Sequence, residues 1–322
     1  MTRAHVHPVS AGVGWADLAG ASVATAAVLA AVGYLLAAHR LRRRGDTWPR
    51  LRDVSFTAGS GALAWAMLAD PPGGPFTAHM TRHLVAGMAA PLLLVLARPL
   101  TLGLRTLPPG RLRRGLLATA HARPARLLLF PALAALVDVG GLWLLYRTGI
   151  FAATHYQPLP YALVHAHVTV AGLWFTFAVC QLDPVRRRWN LAVRATTLLG
   201  AGTLHAVLAK SLYATPPPGT AFTPGDLHTG AQLMYYGGDL VELALAVTLA
   251  AQWYAATGRA HARHLRAPHD RSPGDRSASR PSVAGLDRSV PTVLGAGRAA
   301  RGTGGPAQLS RDPSRRPARE PR

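Results

Sequence analysis

Residues 79–97 read HMTRHLVAGMAAPLLLVLA, from His79 to Ala97. The stretch opens polar, with His79, Arg82 and His83 close together, and then stays apolar from Leu84 to Ala97. A helix needs roughly 20 mostly apolar residues to cross the hydrocarbon core of a bilayer. Continuous apolarity excludes a membrane β-barrel, whose strands alternate apolar and polar positions. Outward from this stretch, segments 17–39, 53–69, 127–146, 161–181, 191–213 and 231–255 have the same character. Segment 53–69 is short and carries Gly59 and Gly61, which suit close helix packing. The expected fold is therefore an all-α integral membrane protein, a bundle of seven transmembrane helices.

Charge is scarce and clumped. Only 15% of the 322 residues are charged, against about 25% in soluble domains, and 35 Lys and Arg face 14 Asp and Glu, a net charge of +21. The 40–52 connection holds Arg40, Arg42, Arg43, Arg44, Arg50 and Arg52. Arginines also crowd 98–126 and 182–190, whereas 70–78, 147–160 and 214–230 hold only Arg147 between them. Such alternation is the positive-inside pattern. It predicts an N-terminus outside the cell and a cytoplasmic C-terminus. Residues 1–16 then form a short extracytoplasmic N-terminus and 17–257 the seven-helix domain. Residues 258–322 carry fourteen Arg against five acids among Pro, Ser and Gly, and read as a disordered cytoplasmic tail able to touch anionic lipid. The tail has no aromatic interleaving and no folded nucleic-acid motif, so no nucleic-acid partner is expected. Segment 17–39 is not a signal peptide of the usual kind, because it starts late and runs into Arg40.

Several function classes drop out. A single cysteine, Cys180, excludes a disulfide framework and Cys-based zinc or iron–sulfur sites. It reads as structural, at the cytoplasmic end of its span. No phosphate-binding loop, dinucleotide fingerprint, HExxH or nucleophile elbow is present, and no catalytic turnover is expected.

Ionisable residues inside spans are costly and point to function. The charged ones are Arg82, Asp138, Lys210, Asp239 and Glu242; the histidines are His79, His83, His165, His167 and His205. With the predicted orientation, all five histidines fall in the outer half of the membrane. His79 and His83 are four apart and share one helix face, a spacing that suits two ligands of one metal. His165 and His167 differ by about 200° around a helix, so His165 is preferred as a ligand over His167. Asp226 and His228 fall in the outer loop before the last span, near the entrance to such a cluster. Met80, Met88 and Met234 are close in sequence but read as packing residues. Lys210 reads as an interfacial anchor. Arg82 could pair with Asp138, Asp239 or Glu242. His5 and His7 read as part of a frayed terminus.

His79-Met80-Thr81-Arg82-His83-Leu84, followed by Ala90-Pro91-Leu92-Leu93-Leu94 and Arg98-Pro99-Leu100, resembles the CtaG-like cytochrome c oxidase assembly factors associated with caa-type oxidases. The resemblance extends to His165-Ala166-His167 with Gly172, to Leu182-Asp183-Pro184, to His205, and to Asp226 through Gly230 with Leu233-Met234-Tyr235 and Gly238-Asp239-Leu240. It covers about residues 17–256. The family pattern before the last helix is close to DQQxGG, where this chain has Asp226-Leu227-His228-Thr229-Gly230-Ala231, and a usual tryptophan is Tyr235 here. The resemblance implies a multi-pass protein of the bacterial plasma membrane that helps to make active haem-copper oxidase by supplying copper to the catalytic copper centre of the large subunit. The proposed ligands are His79, His83, His165 and His205, with His167, Asp226 and His228 less directly placed. Three other readings stay open: a haem-binding or electron-transfer protein with paired axial histidines, a proton- or ion-coupled transporter using Asp138, Asp239 and Glu242, and an assembly scaffold that holds no metal.

Overall fold

All regular structure among the described residues is helical in the computed structural model, which describes residues 15–121, 127–184 and 188–266. Helix α1 (Trp15–Arg43) is followed by α2 (Arg50–Leu68), and α3 (Pro75–Leu84) opens on a proline. Proline suits the first helical turn because its missing N–H has no partner there. Next come a π-helical turn (Val85–Ala89), α4 (Ala90–Leu96), α5 (Pro99–Thr106) and α6 (Arg111–His121). Then follow α7 (Pro131–Arg147), α8 (Ile150–Tyr156), α9 (Pro158–Cys180), α10 (Leu191–Ala214) and α11 (Pro224–Arg266). His5 and His7, and the tail from residue 267 onward, lie outside the described residues.

Among the described residues, five helical runs are long and apolar enough to cross a membrane: Leu18–Arg43, Pro75–Thr106, Leu159–Cys180, Leu191–Ala214 and Pro224–Arg259. Seven were expected. The two that fall short have local reasons: α2 opens on Arg50, Arg52 and Asp53, and α7 has only 17 residues. The last helix differs from expectation at both ends. It begins at Pro224, so Asp226 and His228 stand in its first turns rather than in a loop, and it continues past 257 to Arg266.

The segment quoted first, 79–97, is not one straight rod. The π turn lies just before Pro91. That residue has no N–H to give to the carbonyl four residues back, so the Gly87 carbonyl is released from the ladder. It faces Gly172 of α9 so closely that any Cβ at 172 would overlap it. Arg98, in the left-handed region with φ 56°, then turns the chain into α5.

Two carboxylates fasten helix starts from a distance. Asp226 accepts the Phe76 and Thr77 amides (2.9 Å each) and the Thr77 hydroxyl (2.7 Å) at the start of α3. Asp183, after α9, accepts the Thr101 amide (2.8 Å) and hydroxyl (2.5 Å) at the start of α5. Both satisfy orphan donors of a first turn.

Large apolar side chains including Leu29, Leu136, Leu163, Leu199 and Leu240 face outward, the inverse of a water-soluble surface and what hydrocarbon contact requires. Inside, one cluster centres on Phe76, Met80, Tyr146, Phe151, Leu208 and Met234. A second, towards the other end of α9, holds Val95, Val139, Phe175, Leu198 and Leu245. The histidines adjoin the first cluster.

Candidate functional site

Helix α3 projects His79 and His83 from one face into the interior, where they meet side chains from α7, α8, α9 and α10. His79 Nε2 is 2.9 Å from the Tyr146 hydroxyl on α7, and its ring packs on Phe151 (centroids 4.7 Å) and faces His165 (6.0 Å). One turn deeper, His83 faces His205 of α10, with centroids 6.1 Å apart and planes within 28°. The first pair is half-buried. His83 and His205 are 5% and 3% exposed, and none of their four ring nitrogens has a hydrogen-bond partner. Buried polar groups are nearly always hydrogen-bonded, so two facing, unsatisfied imidazoles require an explanation.

The surroundings are shaped around these rings. At Gly238 of α11 a Cβ would collide with the His205 ring, and at Gly202 it would collide with the Glu242 carboxylate. Glu242 Oε1 is 3.5 Å from His205 Nδ1. On α9, His165 Nδ1 lies 2.9 Å from the Tyr161 carbonyl. A carbonyl only accepts, so Nδ1 carries the proton and Nε2 keeps the lone pair.

A cavity of about 10 Å³ is lined by His79, Arg82, His83 and His165, and one of about 20 Å³ by His83, His205, Asp138 and Glu242. Such spaces admit an object the size of one water or one ion. Metal–imidazole bonds are about 2.0 Å, which places two rings sharing an ion with centroids about 6 Å apart. Each pair has that spacing. The four histidines do not converge on one point, however, and among the described residues no three His, Cys, Asp or Glu side chains are placed to hold one ion jointly. The arrangement is two imidazole pairs in series.

A family model described as cytochrome c oxidase caa3 assembly factor matches residues 32–256. The chain belongs to the caa3 assembly factor family. Uncharacterized proteins of Mycobacterium bovis and Mycobacterium tuberculosis are each 28% identical to it over 258 residues, and one of Mycobacterium leprae is 26% identical over 253. Each alignment covers 72% of this chain but 38% of the relative, so the chain spans well under half the length of the curated relatives it matches. No solved structure matches it.

Other residues singled out from the sequence of this caa3 family member lie elsewhere. His167 is exposed and packs against Gly141 of α7, away from His165, as their angular separation predicts. Asp226 is a helix cap, with both carboxylate oxygens occupied by α3. His228 stacks on Tyr213 (4.1 Å), and Lys210 lies over Tyr235 (5.1 Å). Asp239 is exposed. Arg82 pairs with none of the three acids expected. It binds Asp70 (2.8 Å) and the Ala69 carbonyl (3.0 Å) at the end of α2. Met80 is fully buried, with its sulfur 3.8 Å from the Tyr146 hydroxyl. Sequence reading missed Tyr146, which ties α7 to His79. Beside Arg147 at a segment end it looks like any interfacial tyrosine, and no spacing signal separates the two roles.

Proposed function

We propose that this protein is a seven-span plasma-membrane assembly factor that holds Cu(I) transiently between histidines and supplies it to the catalytic copper centre of a cytochrome c oxidase. The reading places the N-terminus outside and the C-terminus in the cytoplasm, supported by the arginine-rich connections, and the histidine pairs in the outer half of the membrane. Copper is cargo and no turnover takes place; oxidase helices dock laterally.

One observation carries the proposal: His83 and His205 are buried with ring centroids 6.1 Å apart and every ring nitrogen lacking a hydrogen bond. Neutral imidazole is a suitable ligand for copper, and two such ligands hold Cu(I) less firmly than thiolates do. That suits a carrier. A haem is a poorer match, because the gap between the rings has room for an ion but not for a macrocycle.

The test is copper content of the detergent-purified full chain after Cu(I) loading, compared with the His79→Ala/His83→Ala variant. The expected result is copper bound by the wild type and lost in the variant. Negligible copper in both would remove the donor mechanism and leave a scaffold role.

A further inference from the structure

A groove of about 840 Å³ lies between α1, the end of α2 and α9. Its walls are small or apolar, including Gly20, Ala66, Ala162 and Ala166, and its polar end carries Arg82 and His165. It does not touch His79, His83 or His205. His165 also lines the 10 Å³ cavity with His79 and His83, and His83 also lines the 20 Å³ cavity with His205. The three spaces therefore form a series in which His165 is shared by the first two and His83 by the last two. Burial rises along it, from the half-buried His165 and His79 to His83 and His205. The polar neighbours change along it as well. Arg82, partly offset by the fully exposed Asp70, stands at the groove, and the carboxyl groups of Asp138 and Glu242 stand at the far end.

Resting on the copper reading above, we propose that the histidines form a two-station relay: Cu(I) enters sideways through the α1–α9 groove onto His165 and His79, and His83 passes it inward to His205. Each step is a ligand exchange. A bond to the next imidazole forms as a bond to the previous one breaks; copper stays Cu(I), the rings stay neutral, and no electron or proton is transferred. His83 is the pivot because it alone of the four lines both small cavities. Arg82 repels a cation at the groove end, whereas the far end offers carboxyl oxygens, which gives the relay an inward direction. The groove is wide enough for a carrier's ligand-bearing side chain to reach His165.

The two stations separate kinetically. In the detergent-purified full chain, Cu(I) uptake from a coloured Cu(I) chelator and release back to excess chelator are both read by stopped-flow absorbance. His165→Ala, with His165→Gln as a second form should the first fold poorly, is expected to slow uptake by about tenfold or more. His205→Ala is expected to speed release by a similar factor. Ala166→Trp, which fills the groove without removing a ligand, is expected to slow uptake without speeding release. Equal effects of the His165 and His205 variants on both rates would overturn the relay in favour of a single site, as would wild-type uptake by Ala166→Trp. A wild-type chain that takes up no Cu(I) would instead overturn the copper reading itself.

Discussion

Replacing Gly238 by alanine tests whether α11 is built to make room for the His205 ring. A Cβ there would lie 2.7 Å from His205 Nδ1 and closer still to Cε1, whereas nonbonded heavy atoms settle near 3.5 Å or beyond. The ring or the helix must give by about 1 Å, and overpacking of this kind costs about 1–3 kcal/mol. Against it stands the gain from alanine over glycine inside a helix, about 0.5–1 kcal/mol. Gly238→Ala should therefore destabilise the wild type by about 0.5–2 kcal/mol. In a His205→Ala background the obstacle is gone, and the same change should stabilise by about 0.5–1 kcal/mol. The coupling between the two sites is the steric cost itself, about 1–3 kcal/mol, at the upper range for residues in contact. Reversible unfolding of the four proteins in mixed micelles of sodium dodecyl sulfate and a non-ionic detergent gives the cycle. Additivity within about 0.5 kcal/mol would refute the reasoning, because it would mean the ring does not occupy the space that glycine leaves.

Asp226→Ala should cost about 1–2 kcal/mol in the same unfolding assay, as loss of a helix cap does, while Cu(I) content stays at the wild-type level; lost copper would make Asp226 a ligand instead. His167→Ala should keep the Cu(I) content of the wild type, because the ring packs against Gly141, and a loss would place it in the site. Cu(I) at a hundredfold excess over its dissociation constant should raise stability by about 2.7 kcal/mol. The increment should vanish in His79→Ala/His83→Ala, which leaves neither imidazole pair complete, and a persistent increment would put the ion elsewhere.

The histidine face of α3 was legible because a helix repeats every 3.6 residues, and the same arithmetic separated His165 from His167. The polar partners were not. Arg82 finds Asp70, twelve positions earlier in a connection with no periodic signal, because the end of α2 and the first turns of α3 are brought together by the short turn between them. Asp226 reads the same in sequence whether it binds a cation or caps a helix 150 residues away. Only the approach of α11 to the start of α3 decides between the two. The π turn was hidden for a different reason. Pro91 announces a missing donor, but whether the chain kinks, widens or unwinds depends on Gly172 lying opposite the freed Gly87 carbonyl. Length and apolarity found the five long helices, while α2 and α7, whose apolar runs are interrupted by charge or end early, fall short of the same criteria.

The unpaired nitrogens of His83 and His205 bear on what sort of site this is. A buried group left unsatisfied costs about 1–3 kcal/mol, and the cost is not forced by a shortage of partners. Glu242 Oε1 is already 3.5 Å from His205 Nδ1, so a shift of a few tenths of an ångström would complete a hydrogen bond of about 2.9 Å. The His205 ring lies against Gly238 of α11, where a Cβ would collide with it. On the proposed function, the fold holds these two imidazoles for one ion, with no third His, Cys, Asp or Glu ligand among the described residues. A site with three or four converging ligands would retain Cu(I). A two-imidazole pair whose nitrogens lack protein hydrogen bonds gains on binding an ion yet gives it up to a site with more ligands. On the proposed function, that asymmetry drives transfer towards the oxidase without any input of chemical energy.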